Sequence, residues 1–382
     1  MTLRAFITLI TLMLLGMLAS GQLYICIPVT DSISDYFHVP TEEVTMMSTA
    51  FGLSYAVGFL VWGPMSDRYG RKKILMVGII LACVATVCTS LAVSYNVEIF
   101  ARVAQGLCAA AIPPIALAII SEMLNDKWRP VGQSMMGFSF ISSAPIAQFY
   151  ASKITASGTS MDGMMLYCAL AFAILAALIW AFAPYKRGSG DHRKNALHKS
   201  LRELSHDPII LTVWTCAFTA LTGFVTFQII INGPLGSEAI NQVVVRIYTL
   251  LGMFTSFITG YLIRYFGDVC ILRCGLALSS LTLISFAFLN LPLPLEIVIL
   301  SVSVALSIPG IISIISRRAS HADRGMGIAI YSFFMFVGAS ISPVITKFTA
   351  SSIVHTLLIP IALISAAFIM LWMPWCGKNK NS

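Results

Sequence analysis

Residues 63–70 read Gly-Pro-Met-Ser-Asp-Arg-Tyr-Gly, and residues 260–267 read Gly-Tyr-Leu-Ile-Arg-Tyr-Phe-Gly. Gly63 and Gly70 return as Gly260 and Gly267, both at an offset of 197, and each copy runs on into an Ile-Leu pair, Ile74-Leu75 and Ile271-Leu272. Outward from these anchors, Pro113 returns as Pro309 at an offset of 196, and Pro145 as Pro343 at 198. Three separate anchors agreeing within two residues define a tandem repeat, so the chain is two copies of one structural unit.

The surroundings of the anchors say what each unit is made of. Of 382 residues, 58% are apolar and 10% are charged, against roughly 25% charged in a soluble domain. So little charge cannot cover a water-facing surface, which excludes a soluble enzyme. The apolar residues gather into segments at about 5–28, 44–64, 74–94, 98–121, 133–155 and 163–184, and again at about 208–231, 242–263, 270–291, 295–316, 326–350 and 355–375. Each is near the ~20 residues that a helix needs to cross a bilayer, and too long for a barrel strand. The first follows Arg4 and runs to about Pro28, which is longer than the ~7–15 apolar residues of a signal peptide, so it is read as a span. The expected fold is an all-α membrane protein of twelve transmembrane helices in two pseudo-symmetric six-helix bundles. Residues 1–184 form the first bundle, 185–207 a polar linker loop containing KRGSGDHRKN, and 208–382 the second bundle with a short tail.

The net charge is +8, and the positions of the cations explain it. With the N-terminus in the cytoplasm and sides alternating, 20 of the 24 Lys and Arg fall at cytoplasmic ends and loops, among them Arg68, Arg71, Lys72 and Lys73. The other four, Arg102, Lys153, Arg246 and Lys347, lie inside spans or at their outer ends. This is the positive-inside bias, and it accounts for the basic charge without nucleic acid. It places the chain in the cytoplasmic (inner) membrane with both termini cytoplasmic.

In that topology Gly63-Pro-Met-Ser-Asp67-Arg68-Tyr-Gly70-Arg71-Lys72 occupies the loop between spans two and three. It resembles the G-x-L-A-D-R-x-G-R-K signature that the major facilitator superfamily carries in the same loop. Arg102-Val-Ala-Gln105-Gly106 in span four is similar to the R-x-x-Q-G motif of its drug–proton antiporters, and the likeness to the twelve-spanner branch of that family covers essentially the whole chain. In span five only Pro145 remains of the antiporter motif G-x-x-x-G-P-x-x-G-G; Phe140, Ala144, Gln148 and Phe149 stand where it has glycines. Span one, around Gly21, Gln22 and Tyr24, lacks the acid that several relatives embed there. The resemblance implies that the Gly63–Lys72 segment gates, latching the cytoplasmic side shut while the outside is open, and that Arg102 assists proton coupling. Read from the residues alone, Gly63 and Gly70 permit a tight turn and close helix approach, and Asp67 is placed to pair with Arg68 or Arg71. The cations by themselves would also serve simply as topology determinants.

An ion inside the membrane is a functional-site hypothesis. Arg102 is set for coupling or substrate binding, with a local pair to Glu98, four residues earlier, as the alternative. Arg246 in span eight has no acid within one turn and is read as helping to select cargo, whereas Lys153 and Lys347 sit where snorkelling suffices. Of the 16 acids only Glu98 and Glu122 fall plausibly within a span, so the cavity is expected to be neutral to positive and to suit anionic, zwitterionic or neutral cargo. Candidate cavity residues include Gln22, Tyr24, Pro145, Gln148, Tyr248 and Tyr331, with helix packing as the commoner role for any one of them. Pro113-Pro114, Pro145, Pro309 and Pro343 mark where helices can bend.

The cysteines sit mostly in apolar runs, and the six histidines show no ligand spacing, so no metal or cofactor is expected. No G-x-x-x-x-G-K-[ST] loop is present, which leaves an ion gradient as the energy source. The expected function is proton-coupled efflux of a small organic compound, drug or metabolite, by rocking of two bundles around a central site. An importer of a metabolite or metal chelate such as a siderophore fits the same fold, and the altered span-five motif and the missing membrane acids speak for it. A non-transporting membrane sensor, the reading from a different class, would carry an added soluble domain.

Overall fold

The apolar segments fold as helices, because a backbone inside lipid must satisfy its own hydrogen bonds. The computed structural model describes residues 2–125, 128–183, 204–232, 242–289, 291–319, 324–349 and 352–372; most of the expected 185–207 linker lies outside them. The chain divides into two units, Met1–His192 and Arg193–Ser382.

The first unit contains α1 (Leu3–Gly21), α2 (Thr30–Phe37), α3 (Thr41–Tyr69), α4 (Arg71–Ser90), α5 (Tyr95–Ala109), α6 (Ile112–Met123), α7 (Arg129–Ala156) and α8 (Met161–Phe182). The second contains α9 (Pro208–Asn232), α10 (Gln242–Met253), α11 (Thr255–Phe266), α12 (Asp268–Phe288), α13 (Leu293–Arg318), α14 (Arg324–Thr349) and α15 (Ile353–Met370). With the eight-residue α2 left out and α5–α6 and α10–α11 each counted as one interrupted span, these make twelve span positions, as the sequence predicts. Among the described residues, eleven are long and apolar enough to cross a membrane on length and composition alone. The twelfth, α7, has the length, but five serines and two glutamines lower its hydropathy; Gln133, Ser134, Ser139, Ser142 and Ser143 are buried within the unit, away from lipid.

The repeat seen in the sequence is repeated in the packing. In the first unit α1 lies against α7 and α8, α3 against α5 and α6, and α4 against α5 and α8. In the second, α9 lies against α14 and α15, α10 and α11 against α13, and α12 against α13 and α15. Each of these contacts is the counterpart of one in the other unit. The outward faces carry large apolar side chains such as Ile80, Leu81, Val84, Phe100 and Trp180. Hydroxyls and amides such as Thr11, Gln22, Thr86 and Gln105 are buried. That inside-out distribution is what lipid as solvent requires, and it marks a multi-pass membrane protein.

Three spans depart from uninterrupted helices ending where hydropathy ends. The first stops at Gly21 rather than near Pro28, and the chain continues through turns into a 3-10 turn at Ile27–Val29. Span four breaks at Ala110-Ala111, just before Pro113-Pro114, where the missing N–H and the ring prevent continuation. Span eight breaks at Phe254 without a proline. Pro145 and Pro309, by contrast, lie inside continuous helices, α7 and α13.

Candidate functional site

The repeated glycines are explained by their backbone. Gly70 has φ 99° and Gly267 has φ 82°, a conformation that a side chain disfavours, and each sits between two helices as the C-cap of one and the N-cap of the next. The turn at Gly70 brings Arg71, at the start of α4, beside Asp67 in the last turn of α3, and the two form an ion pair. Arg71 also donates from Nη1 to Ser66 Oγ at 2.9 Å and from Nε to Glu122 Oε1 at 3.1 Å. Glu122 lies near the end of α6, so spans two, three and four are tied together by one guanidinium. Lys72 donates from Nζ to the carbonyls of Trp180 and Ala183, both at 2.8 Å, completing the C-terminus of α8 with a cation. Arg68 is exposed and lies over the Tyr69 ring, 5.2 Å from its centroid. Gly63, buried in α3, accepts from Ser66 through its carbonyl at 2.8 Å.

The second unit repeats this corner with its charges exchanged. Asp268, the first residue of α12, stands at the position of Arg71, and Arg317 in the last turn of α13 stands near that of Glu122. They pair at 2.7 Å. Asp268 stands at the 197 offset from Arg71 and Arg317 at 195 from Glu122, but only the fold shows that the two residues meet.

The second group of predicted residues converges inside the first unit. Arg102, Gln105 and Gly106 share a face of α5. Gly106 presses against α3 so closely that a Cβ there would strike the Phe51 carbonyl and Ser54 Oγ, and this approach sets the Phe51 ring 4.9 Å from the Arg102 guanidinium. Arg102 is fully buried. Its Nη1 donates to Gln105 Oε1 at 2.6 Å and its Nη2 to the Gln22 carbonyl at 2.5 Å. That carbonyl is available because α1 stops at Gly21. Gln105 Nε2 in turn donates to Gln22 Oε1 at 3.2 Å and to Thr86 Oγ1 at 2.9 Å. A cation in a low-dielectric interior is thus held by oriented carbonyl oxygens and an aromatic face.

Glu98 corrects the sequence reading. It is fully buried one turn before Arg102, yet neither carboxylate oxygen has a hydrogen-bond partner, and the local ion pair does not form. Nor are Glu98 and Glu122 the only acids in spans. Glu296, 198 residues after Glu98, is buried in α13 and accepts from Ser285 Oγ at 2.9 Å. The spans therefore hold a repeat-related pair of buried acids, Glu98 and Glu296. Thr86 and Phe51 were missed as well, because nothing in their local sequence distinguishes them from packing residues.

Beside Gln22 is a cavity of about 450 Å³ between α1, α7 and α8. Its wall is mostly aliphatic, with Gln22, Ser143, Tyr150, Tyr167 and Cys168 as the polar exceptions. Tyr24 lies in the turn after α1, and Gln148 and Pro145 lie on α7. In the second unit Arg246 and Tyr248 are half-buried on α10, and Tyr331 is fully buried on α14 with its hydroxyl 3.1 Å from Met335 Sδ. Lys153 is exposed in the last turn of α7; the side chains of Pro343 and Lys347 lie outside the described residues.

Two units of six membrane helices, repeated in sequence and in packing, define a multi-pass membrane protein of duplicated architecture. The Major Facilitator Superfamily model matches residues 12–295 and 229–379, and the chain belongs to that family, whose members are transporters and not enzymes. An uncharacterized transporter of Buchnera aphidicola subsp. Schizaphis graminum is 24% identical over 88% of this chain and 84% of its own. The citrinin biosynthesis cluster MFS transporter of Monascus ruber is 36% identical over 27% of this chain, an alignment spanning only 20% of the fungal protein. The crystal structure of the human organic anion transporter MFSD10 superposes with a TM-score of 0.75 at 13% identity, covering 97% of this chain and 100% of that one; at that identity the likeness is one of fold.

Proposed function

We propose that this transporter exports a small organic compound in exchange for protons by alternating access, from a cytoplasmic membrane in which both termini face the cytoplasm. The observation that carries the reading is Arg102, a fully buried cation held in the R-x-x-Q-G frame by Gln22 and Gln105. A buried ion in a span marks a transport pathway by default. Its positive charge beside a largely aliphatic cavity supports neutral, zwitterionic or anionic cargo over lipophilic cations. The Gly63–Lys72 corner is the gate, and Arg246 contributes to cargo selection from the second unit.

Everted vesicles under an imposed pH gradient test this. Addition of organic anions and zwitterions in groups should release protons in vesicles containing the protein and not in vesicles carrying Arg102→Ala. Vesicles with the wild-type protein that release none would overturn the reading. Import is the second reading, supported by the missing glycines of span five. Whole cells that accumulate, rather than lose, the compound identified in vesicles would establish it.

A further inference from the structure

Glu98 and Arg102 together contain unsatisfied polar atoms that the structure does not use elsewhere. Both carboxylate oxygens of Glu98 and Nε of Arg102 are buried and without hydrogen-bond partners. The two residues are four apart on α5, the spacing at which a carboxylate and a guanidinium ordinarily meet. Arg102 instead turns toward the end of α1, with its outer nitrogens on Gln22 and Gln105 and its plane against Phe51. An ionised carboxylate in this position would have lost its hydration and gained no donor, whereas the acid form carries no charge to solvate.

We infer that Glu98 is the proton-binding carboxyl of this transporter, and that Arg102 is the cation it exchanges for its proton. The inference rests on the proton-coupled reading above. With the proton on Glu98, Arg102 is released to Gln22 and Gln105, as seen here. When the proton leaves to water, the carboxylate and the Nε–H of Arg102 can close into an ion pair. The guanidinium is then drawn off the Gln22 carbonyl. Because Gln22 also lines the cavity between α1, α7 and α8, loss of the proton reaches the cavity wall through a single hydrogen bond.

The charges acting on Glu98 are Arg102 on its own helix and Asp162 at the start of α8. The Cys26 thiol and the Tyr36 phenol also face it. From α3 and α4, the helices packed on α5, the stretches Val44–Gly63 and Ile74–Ser90 contribute no charged residue. Glu43, at the start of α3, is the acid on that helix nearest the start of α5, its carbonyl accepting from Tyr95 Oη at 2.7 Å. Among the described residues, Arg102 is the cation acting on the carboxylate.

The test needs no substrate, since the ligand is the proton. Purified protein in lipid nanodiscs is titrated with acid and alkali while infrared difference spectra follow the protonated-carboxyl stretch. Wild type should show a titrating band from a non-hydrogen-bonded acid. Glu98→Gln should lose that band, and Glu98→Asp should keep it at a shifted frequency. A band that survives unchanged in both variants overturns the inference. Should Glu98→Gln fail to elute as a folded protein, the Glu98→Asp spectrum decides alone, because an unmoved band there is equally fatal. A normal band with no substrate-driven proton release from wild-type everted vesicles would instead overturn the proton-coupled reading and leave the proton site standing.

Discussion

Among the residues, Arg102 and Gly106 show how a short motif works through its neighbours. The guanidinium makes two charge-assisted hydrogen bonds, and such bonds contribute about 1.5–3 kcal/mol each. Arg102→Lys keeps the charge but cannot span both Gln22 and Gln105, so transport should fall sharply while the protein still inserts, as vesicle assays and membrane immunoblots would report. Gly106→Ala drives a methyl into the Phe51 carbonyl. We expect a loss of about 1–3 kcal/mol, typical of overpacking, read as a lower thermal midpoint in detergent. At Gly70 the constraint is backbone conformation. Gly70→Ala should cost of order 1–3 kcal/mol at φ 99°, and Gly267→Ala, with nothing near its absent Cβ, should cost a similar amount.

For the helices, the informative comparison is between the two ion pairs at the start of spans three and nine. Arg71 with Glu122 and Asp268 with Arg317 link the same pair of helices in each unit, with the charges reversed. If the linkage matters and the direction of charge does not, Asp268→Arg combined with Arg317→Glu should behave better than either single change. A double-mutant cycle on thermal unfolding should give a coupling of up to about 1 kcal/mol, since Arg317 is well exposed. A coupling near zero would reduce the pair to a surface contact. The helix least legible from sequence was α7. The sequence reading places it at 133–155 among the apolar segments, yet its serines and glutamines leave it short of the hydropathy of the other eleven; their burial against neighbouring helices explains why a polar helix is tolerated.

Across the whole chain, duplication governs the predictions. Cysteines introduced at the exposed Lys73 and Ser157, at opposite ends of the first unit's helices, should be labelled by an impermeant thiol reagent from opposite sides of the membrane. Labelling of both from one side would remove α7 or one of its neighbours as a span. If the Gly63–Lys72 corner gates as proposed, Asp67→Asn should impair transport while leaving insertion intact, since its charge is engaged by Arg71 and is not needed for topology. Normal transport by that variant would reduce the segment to a topology signal.

The twelve spans, the duplication at an offset of 196–198, the Gly63–Lys72 motif and the membrane setting were all legible in the sequence by itself. Hydropathy, spacing and the placement of cations are properties of the chain that do not depend on which helices touch. Tertiary structure decided what spacing could not: that α1 ends at Gly21 and frees a carbonyl for Arg102, that Glu98 declines the ion pair four residues away, and that Asp268 meets Arg317. Each of these depends on how helices distant in sequence approach and rotate against one another, and in a membrane interior that geometry determines which polar atoms are satisfied.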